Sequence, residues 1–181
     1  MSGATSTSGP RPNPLRVAIW TGASLLLLLP AVAMRFTDGV DWSALDFIVF
    51  GTMLALACGA YELGARASGD TMYRAAVGVA VAAAFLLVWV TLAVGIIDSE
   101  RNPANQMYAG VLATVVLGAV FASAKPRRMA WVMLAAASAQ AVVATIALAS
   151  GPVDAPKLVG VTGFFVALWL ASAWLFRRAA R

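Results

Sequence analysis

The stretch Ile97-Asp98-Ser99-Glu100-Arg101-Asn102-Pro103-Ala104-Asn105-Gln106-Met107-Tyr108 gathers two carboxylates, a guanidinium, three side-chain amides and a phenol into one short segment. Such a set can hold a ligand or a partner through charged and neutral hydrogen bonds alike. Part of it has a plain structural duty: Asn102 is placed to cap a helix that Pro103 opens. Asp98, Glu100, Asn105 and Gln106 are left without one, so the segment reads as a binding or interaction surface or as a solvated turn. Two further positions stand out. Gln140 interrupts a long apolar run, where an unpaired amide is expensive, and an interhelical hydrogen bond or a substrate contact would account for it. Glu62 precedes Arg66 by one helical turn, in the favourable order for an i,i+4 pair; pairing near a helix end, or a gate or partner contact, would explain it. Asp46 follows Ser43 at the spacing of a capping box and is assigned to helix initiation.

What is missing narrows the chemistry. The chain has no histidine and a single cysteine, Cys58. That removes Ser-His and Cys-His nucleophile pairs, the usual zinc sites and any internal disulfide, and no metal or cofactor is expected. None of the apolar runs carries an ionised side chain in its middle third, where one would cost about 2.5–3.5 kcal/mol and be kept mainly for function. Proton-coupled export through an intramembrane carboxylate is therefore disfavoured. Cation conduction through acidic pore rings is disfavoured too, although an oligomer could line a mouth with Asp98 or Glu100. No intramembrane protease constellation is present, and no connection is long enough for a soluble catalytic domain. A non-enzymatic protein is expected.

The elements that must position these residues follow from composition. Of 181 residues, 61% are hydrophobic and 12% charged, with a mean hydropathy of +0.84. A soluble domain carries about 25% charged residues, so too little polar surface remains to face water, and lipid is the natural solvent. Six apolar stretches, at about residues 15–34, 43–63, 75–97, 107–124, 129–149 and 157–176, each match the roughly 20 helical residues that cross a bilayer. They do not alternate as barrel strands do, and helix is forced where backbone groups cannot meet water. The expectation is an all-α, polytopic transmembrane bundle forming one domain over residues 15–178. A Ser/Gly/Pro-rich disordered tail over 1–14 and a basic C-terminal tail over 179–181 flank it.

Orientation follows from the short connections. Arg11, Arg16, Arg66, Arg74, Lys125, Arg127, Arg128, Arg177, Arg178 and Arg181 fall on one side, against Arg35, Arg101 and Lys157 on the other. The positive-inside rule places the first side, and hence both ends of the chain, in the cytoplasm. The acidic residues Asp38, Asp41, Asp46, Asp98, Glu100 and Asp154 lean to the outside. An alternative reading treats the first apolar run as a signal peptide cleaved after Ala33, leaving five helices. Trp20, Trp42, Trp131 and Trp174 fall near the interfaces, where aromatic belts sit, whereas Trp89 and Trp169 lie deeper, as packing residues. The net charge of +5 is dispersed between apolar runs rather than gathered on a stripe, so anionic headgroups rather than nucleic acid are its counterpart.

The fourth run places Gly110, Thr114, Gly118 and Ala122 at every fourth position, a stripe that lets a neighbouring backbone approach closely. Internal helix packing is the expected use and a dimer face the alternative, with Gly78 and Ala82 of the third run as a possible facing surface. The segment from Trp89 to Tyr108, with the run from the second helix to Leu175-Phe176-Arg177-Arg178 around it, resembles an uncharacterised family of small polytopic bacterial inner-membrane proteins. That resemblance implies a bacterial inner membrane and no mechanism. Two function classes fit the residues. One is an accessory, assembly or interaction subunit acting through helix faces and the outer loop 98–106, with the lipid bilayer and another membrane protein or a second copy as partners. The other is a small transporter or permease component for a neutral or lipid-like solute.

Overall fold

A computed structural model describes residues 14–37 and 39–181; residues 1–13 of the expected tail, with Arg11, and Asp38 lie outside the described residues. Six α-helices and one short 3-10 turn follow in order: α1 (Pro14–Ala33), α2 (Ala44–Arg66), α3 (Thr71–Ala93), η1 (Pro103–Gln106), α4 (Met107–Ala122), α5 (Pro126–Ser150) and α6 (Ala155–Ala179). No strand occurs among the described residues. All six α-helical segments, the fourth counted from Pro103, are long and apolar enough to cross a membrane. The chain is an all-α, multi-pass membrane protein.

The helix ends follow from local chemistry. Ser43 and Asp46 form the expected reciprocal cap: the Asp46 carboxylate accepts from the Ser43 N–H and hydroxyl, each at 2.7 Å, and the Asp46 N–H donates to Ser43 Oγ at 3.3 Å. The third helix starts and stops four residues earlier than its apolar run. Asp70 caps it by accepting from the Tyr73 N–H at 2.7 Å, and the chain leaves the helix at Gly95, whose φ is +72°. Asp154 caps α6 through the Lys157 N–H at 3.1 Å, and that helix runs on through Ala179, the first residue of the expected C-terminal tail. Pro126 opens α5, where a missing N–H is harmless.

The chain divides into two compact units, Met1–Gly59 and Ala60–Arg181. Within the first, Leu27 of α1 packs on Gly51 of α2, and Trp42 meets Phe47 and Phe50 edge-on, each with ring centres 5.3 Å apart. Leu25, Leu26, Leu28, Leu29 and Val32 of α1 are exposed within the protein, as a lipid-facing helix requires.

The second unit carries the candidate residues. Here α6 packs between α3 and α5, and α5 packs in turn on α4. Short turns join α4 to α5 and α5 to α6, so each of these pairs runs antiparallel. The buried positions recur at spacings of three and four: Met133, Ala136, Ala137, Gln140, Val143, Ala144 and Ala147 on α5, and Leu158, Thr162, Phe165, Trp169, Ser172 and Phe176 on α6. Such spacing places one face of each helix against its neighbours in the bundle. Two contacts tie α6 to α3: the Ser172 hydroxyl donates to the Ala76 carbonyl at 2.9 Å, and Tyr73 and Phe176 meet edge-on with centres 5.2 Å apart.

Candidate interaction site and a buried polar layer

The connection between α3 and α4 is organised around Asn105. Its Oδ1 accepts from the Ile96 N–H at 3.1 Å and the Ile97 N–H at 2.9 Å, while its Nδ2 donates to the Ile97 carbonyl at 3.3 Å and the Ser99 carbonyl at 2.6 Å. The amide thereby meets its full capacity of two donated and two accepted bonds. Ile96 and Ile97, which it fixes, are almost wholly buried in the helical core. The sequence left Asn105 without a structural duty. The structure corrects this: Asn105 shapes the loop.

Gly95 makes the same loop possible. A side chain there would collide with the Ser99 carbonyl and the Glu100 nitrogen, and its positive φ strains any residue with a Cβ. Asp98 also takes a left-handed conformation, with φ 62°, which a short polar side chain tolerates. Asn102 caps η1 by accepting from the Ala104 N–H at 2.9 Å, with Pro103 opening the turn. Asp98, Glu100, Arg101 and Gln106 are exposed, and Glu100 lies 3.7 Å from the Arg101 guanidinium. The backbone is braced and the charged side chains face outward. Lys157 of α6 reaches the Asp98 carbonyl at 3.5 Å.

The remaining candidates lie elsewhere. Glu62 pairs with Arg66 at 3.1 Å within α2. On α4, Gly118 lies close against α5: a Cβ there would sit 2.6 Å from Val132. Ala122 is buried, whereas Gly110 has open space around its Cα, and the Thr114 hydroxyl turns back to the Gly110 carbonyl at 2.8 Å. The suggested facing surface on α3 is not where this stripe packs, because Gly78 packs on Tyr61 of α2 and Ala82 is exposed.

Gln140 is completely buried, and neither its oxygen nor its nitrogen has a hydrogen-bond partner. The expected interhelical bond is absent from this position. Three more buried polar atoms lack partners nearby: Tyr108 Oη, Thr162 Oγ1 and Trp169 Nε1. The Tyr108 hydroxyl lies toward that of Thr162 without reaching hydrogen-bond geometry. Helix register sets Tyr108 level with Gln140, and Thr162 and Trp169 about one turn to either side of that level. Tyr108 and Gln140 are equally far from the ends of α4 and α5 that flank their turn, and by the same measure Gln140 is level with Phe165, midway between Thr162 and Trp169. At 1.5 Å per residue the layer extends about 5 Å to either side of Gln140. The sequence showed these residues one at a time; only the spacings of α5 and α6, read together with the turn lengths, bring them together. Arg74 Nε and Thr91 Oγ1 are also unpaired but lie near the two ends of α3, away from this layer.

At the opposite end of the unit, Lys125, Arg127, Arg128, Arg177, Arg178 and Arg181 gather where α4 and α6 end and α5 begins. Arg178 stacks over Trp174 at 4.6 Å and Arg177 over Trp131 at 5.6 Å. No group of histidine, cysteine or acidic side chains fit to hold a metal ion occurs among the described residues. No protein-family model, curated protein or solved structure matches the chain.

Proposed function

We propose that this chain is a non-enzymatic protein of a bacterial inner membrane. In this reading both of its ends are cytoplasmic, and it works as an accessory, assembly or interaction subunit through its helix faces and the outer loop 98–106. The observation that carries the reading is the braced loop. Asn105 fixes its backbone while Asp98, Glu100, Arg101 and Gln106 stay exposed. A surface held in one conformation before contact loses less entropy when a partner docks. Orientation has support of its own. Arg127 and Arg128 stand in the first turn of α5, where the helix dipole disfavours a cation. Helix stability therefore does not place them; anionic headgroups on the cytoplasmic side do.

The test is purification of the tagged full chain from native membranes. A stoichiometric membrane partner, or a second copy, should accompany the native chain and be depleted several-fold by Glu100→Ala combined with Asp98→Asn. Reporter fusions at Arg66, Lys125 and the C-terminus should read cytoplasmic, and fusions at Asp38 and Asn102 external. A different observation, the unpaired polar layer around Gln140, favours the second reading, a transporter or permease component for a neutral or lipid-like solute. Solute flux by the purified protein alone in liposomes, lost in Gln140→Ala, would replace the first reading with it.

A further inference from the structure

We infer that the four-helix part of the second unit encloses a binding site for a small uncharged hydrogen-bonding guest, formed by Tyr108, Gln140, Thr162 and Trp169. The argument begins with what each group lacks. A buried primary amide with neither end paired is among the most costly neutral groups a core can contain, and Gln140 is in that position. Trp169 adds a buried N–H without a partner, and Tyr108 and Thr162 add two buried hydroxyls that lie toward each other outside hydrogen-bond geometry, all within about one turn of Gln140. Each comes from a core-facing position of its helix, so none is reoriented to solvent by a simple rotamer change. Buried polar groups in native proteins are paired, and where protein groups do not pair them ordered water or a ligand does.

The donor inventory describes the guest. Gln140 offers two N–H donors and an acceptor oxygen, Tyr108 and Thr162 each donate and accept, and Trp169 only donates. A guest must therefore both accept and donate, as water, a small polyol or a primary amide does. No carboxylate, ammonium or guanidinium belongs to the layer, and an ion there would bring an uncompensated desolvation cost. The guest is uncharged. The inference requires neither functional reading above, because a bound guest need not pass through the protein.

X-ray-generated hydroxyl-radical footprinting of the purified full chain tests it, since such radicals label buried side chains that touch bound water. Oxidation of Tyr108 and Trp169 should exceed several-fold that of Phe176 and Met133, which are equally buried but outside the layer. Replacing Gln140 by Leu, of similar size, should remove the excess. Glycerol and acetamide distinguish the source of the guest. Saturable protection at millimolar solute identifies an organic guest; labelling unchanged by either identifies water alone. Both results fit the inference. It is overturned if Tyr108 and Trp169 are as protected as Met133, or if Gln140→Leu raises the unfolding temperature by several degrees, because a dry layer gains by losing an unpaired amide. Should Gln140→Leu fail to fold, Thr162→Val removes one hydroxyl at nearly constant shape and must lower the labelling.

Discussion

Asn105 and Gln140 are both primary amides, both buried within the second unit, at 4% and 0% exposure, and they have opposite circumstances. Every hydrogen-bonding position of Asn105 is used by backbone within ten residues of it. No position of Gln140 is used by any protein group. Burial alone therefore does not say what a polar residue is for. A satisfied amide is an element of structure, and its removal harms the fold. An unsatisfied one has bonds to give to something else, and its removal affects whatever it holds. Substitutions that set the two against each other break or sharpen this distinction.

The largest effect belongs to Asn105→Ala. It orphans the Ile96 and Ile97 N–H groups and the Ile97 carbonyl, at about 1–3 kcal/mol each when they stay buried, while the Ser99 carbonyl keeps the Asn102 N–H. A loss of about 4 kcal/mol is expected, because part of the segment can recover water. Thermal unfolding in detergent, read by circular dichroism, measures it. A loss under about 1 kcal/mol would mean that the loop keeps its shape without the amide, and the contrast with Gln140 would collapse. Gly95→Ala should follow, at about 2–3 kcal/mol, from left-handed strain and the collision with Ser99 and Glu100. The two changes act on one loop, so their combination should cost less than their sum. Full additivity would show that Gly95 and Asn105 do not serve the same conformation.

The six helices, the Ser43–Asp46 cap, the Asn102–Pro103 start and the Glu62–Arg66 pair were legible in the sequence because each depends on residues within one or two turns of one another. Asn105 was not. Its partners at Ile96, Ile97 and Ser99 lie across a loop whose path depends on two left-handed residues, and nothing at position 105 reveals that path. Gln140 was half legible: its polarity in an apolar run was plain, but its lack of a partner depends on the register of α4, α5 and α6. The stripe on α4 was legible as a packing device, yet the helix that approaches Gly118 is α5 rather than α3, a choice made by turn length and not by small residues.

A buried hydroxyl supplies the intermediate case. Ser172 Oγ donates to the Ala76 carbonyl across α3 and α6, a carbonyl in the interior of α3. Ser172→Ala removes one neutral bond without creating an orphaned N–H, so about 1 kcal/mol should be lost. A neutral result would place Ser172 with Gln140, as a polar group the fold does not need. A loss near that of Asn105→Ala would show that a single interhelical bond sets the α3–α6 register.

The smallest effect on stability, and the most informative for function, is expected of Glu100→Gln. Its carboxylate is half-exposed and its neighbour Arg101 almost fully so, and an ion pair in that setting contributes little. The unfolding temperature should move by less than the equivalent of about 0.5 kcal/mol. Retention of a copurifying partner should still fall several-fold, because the change removes charge from a surface whose backbone Asn105 keeps in place. Asn105→Ala must weaken retention as well, but with loss of stability. If Glu100→Gln leaves retention untouched while Asn105→Ala removes it, the partner reads the shape of the loop and not its charge. If neither changes retention, recognition lies on the helix faces, and the braced loop serves only to close α3 onto α4.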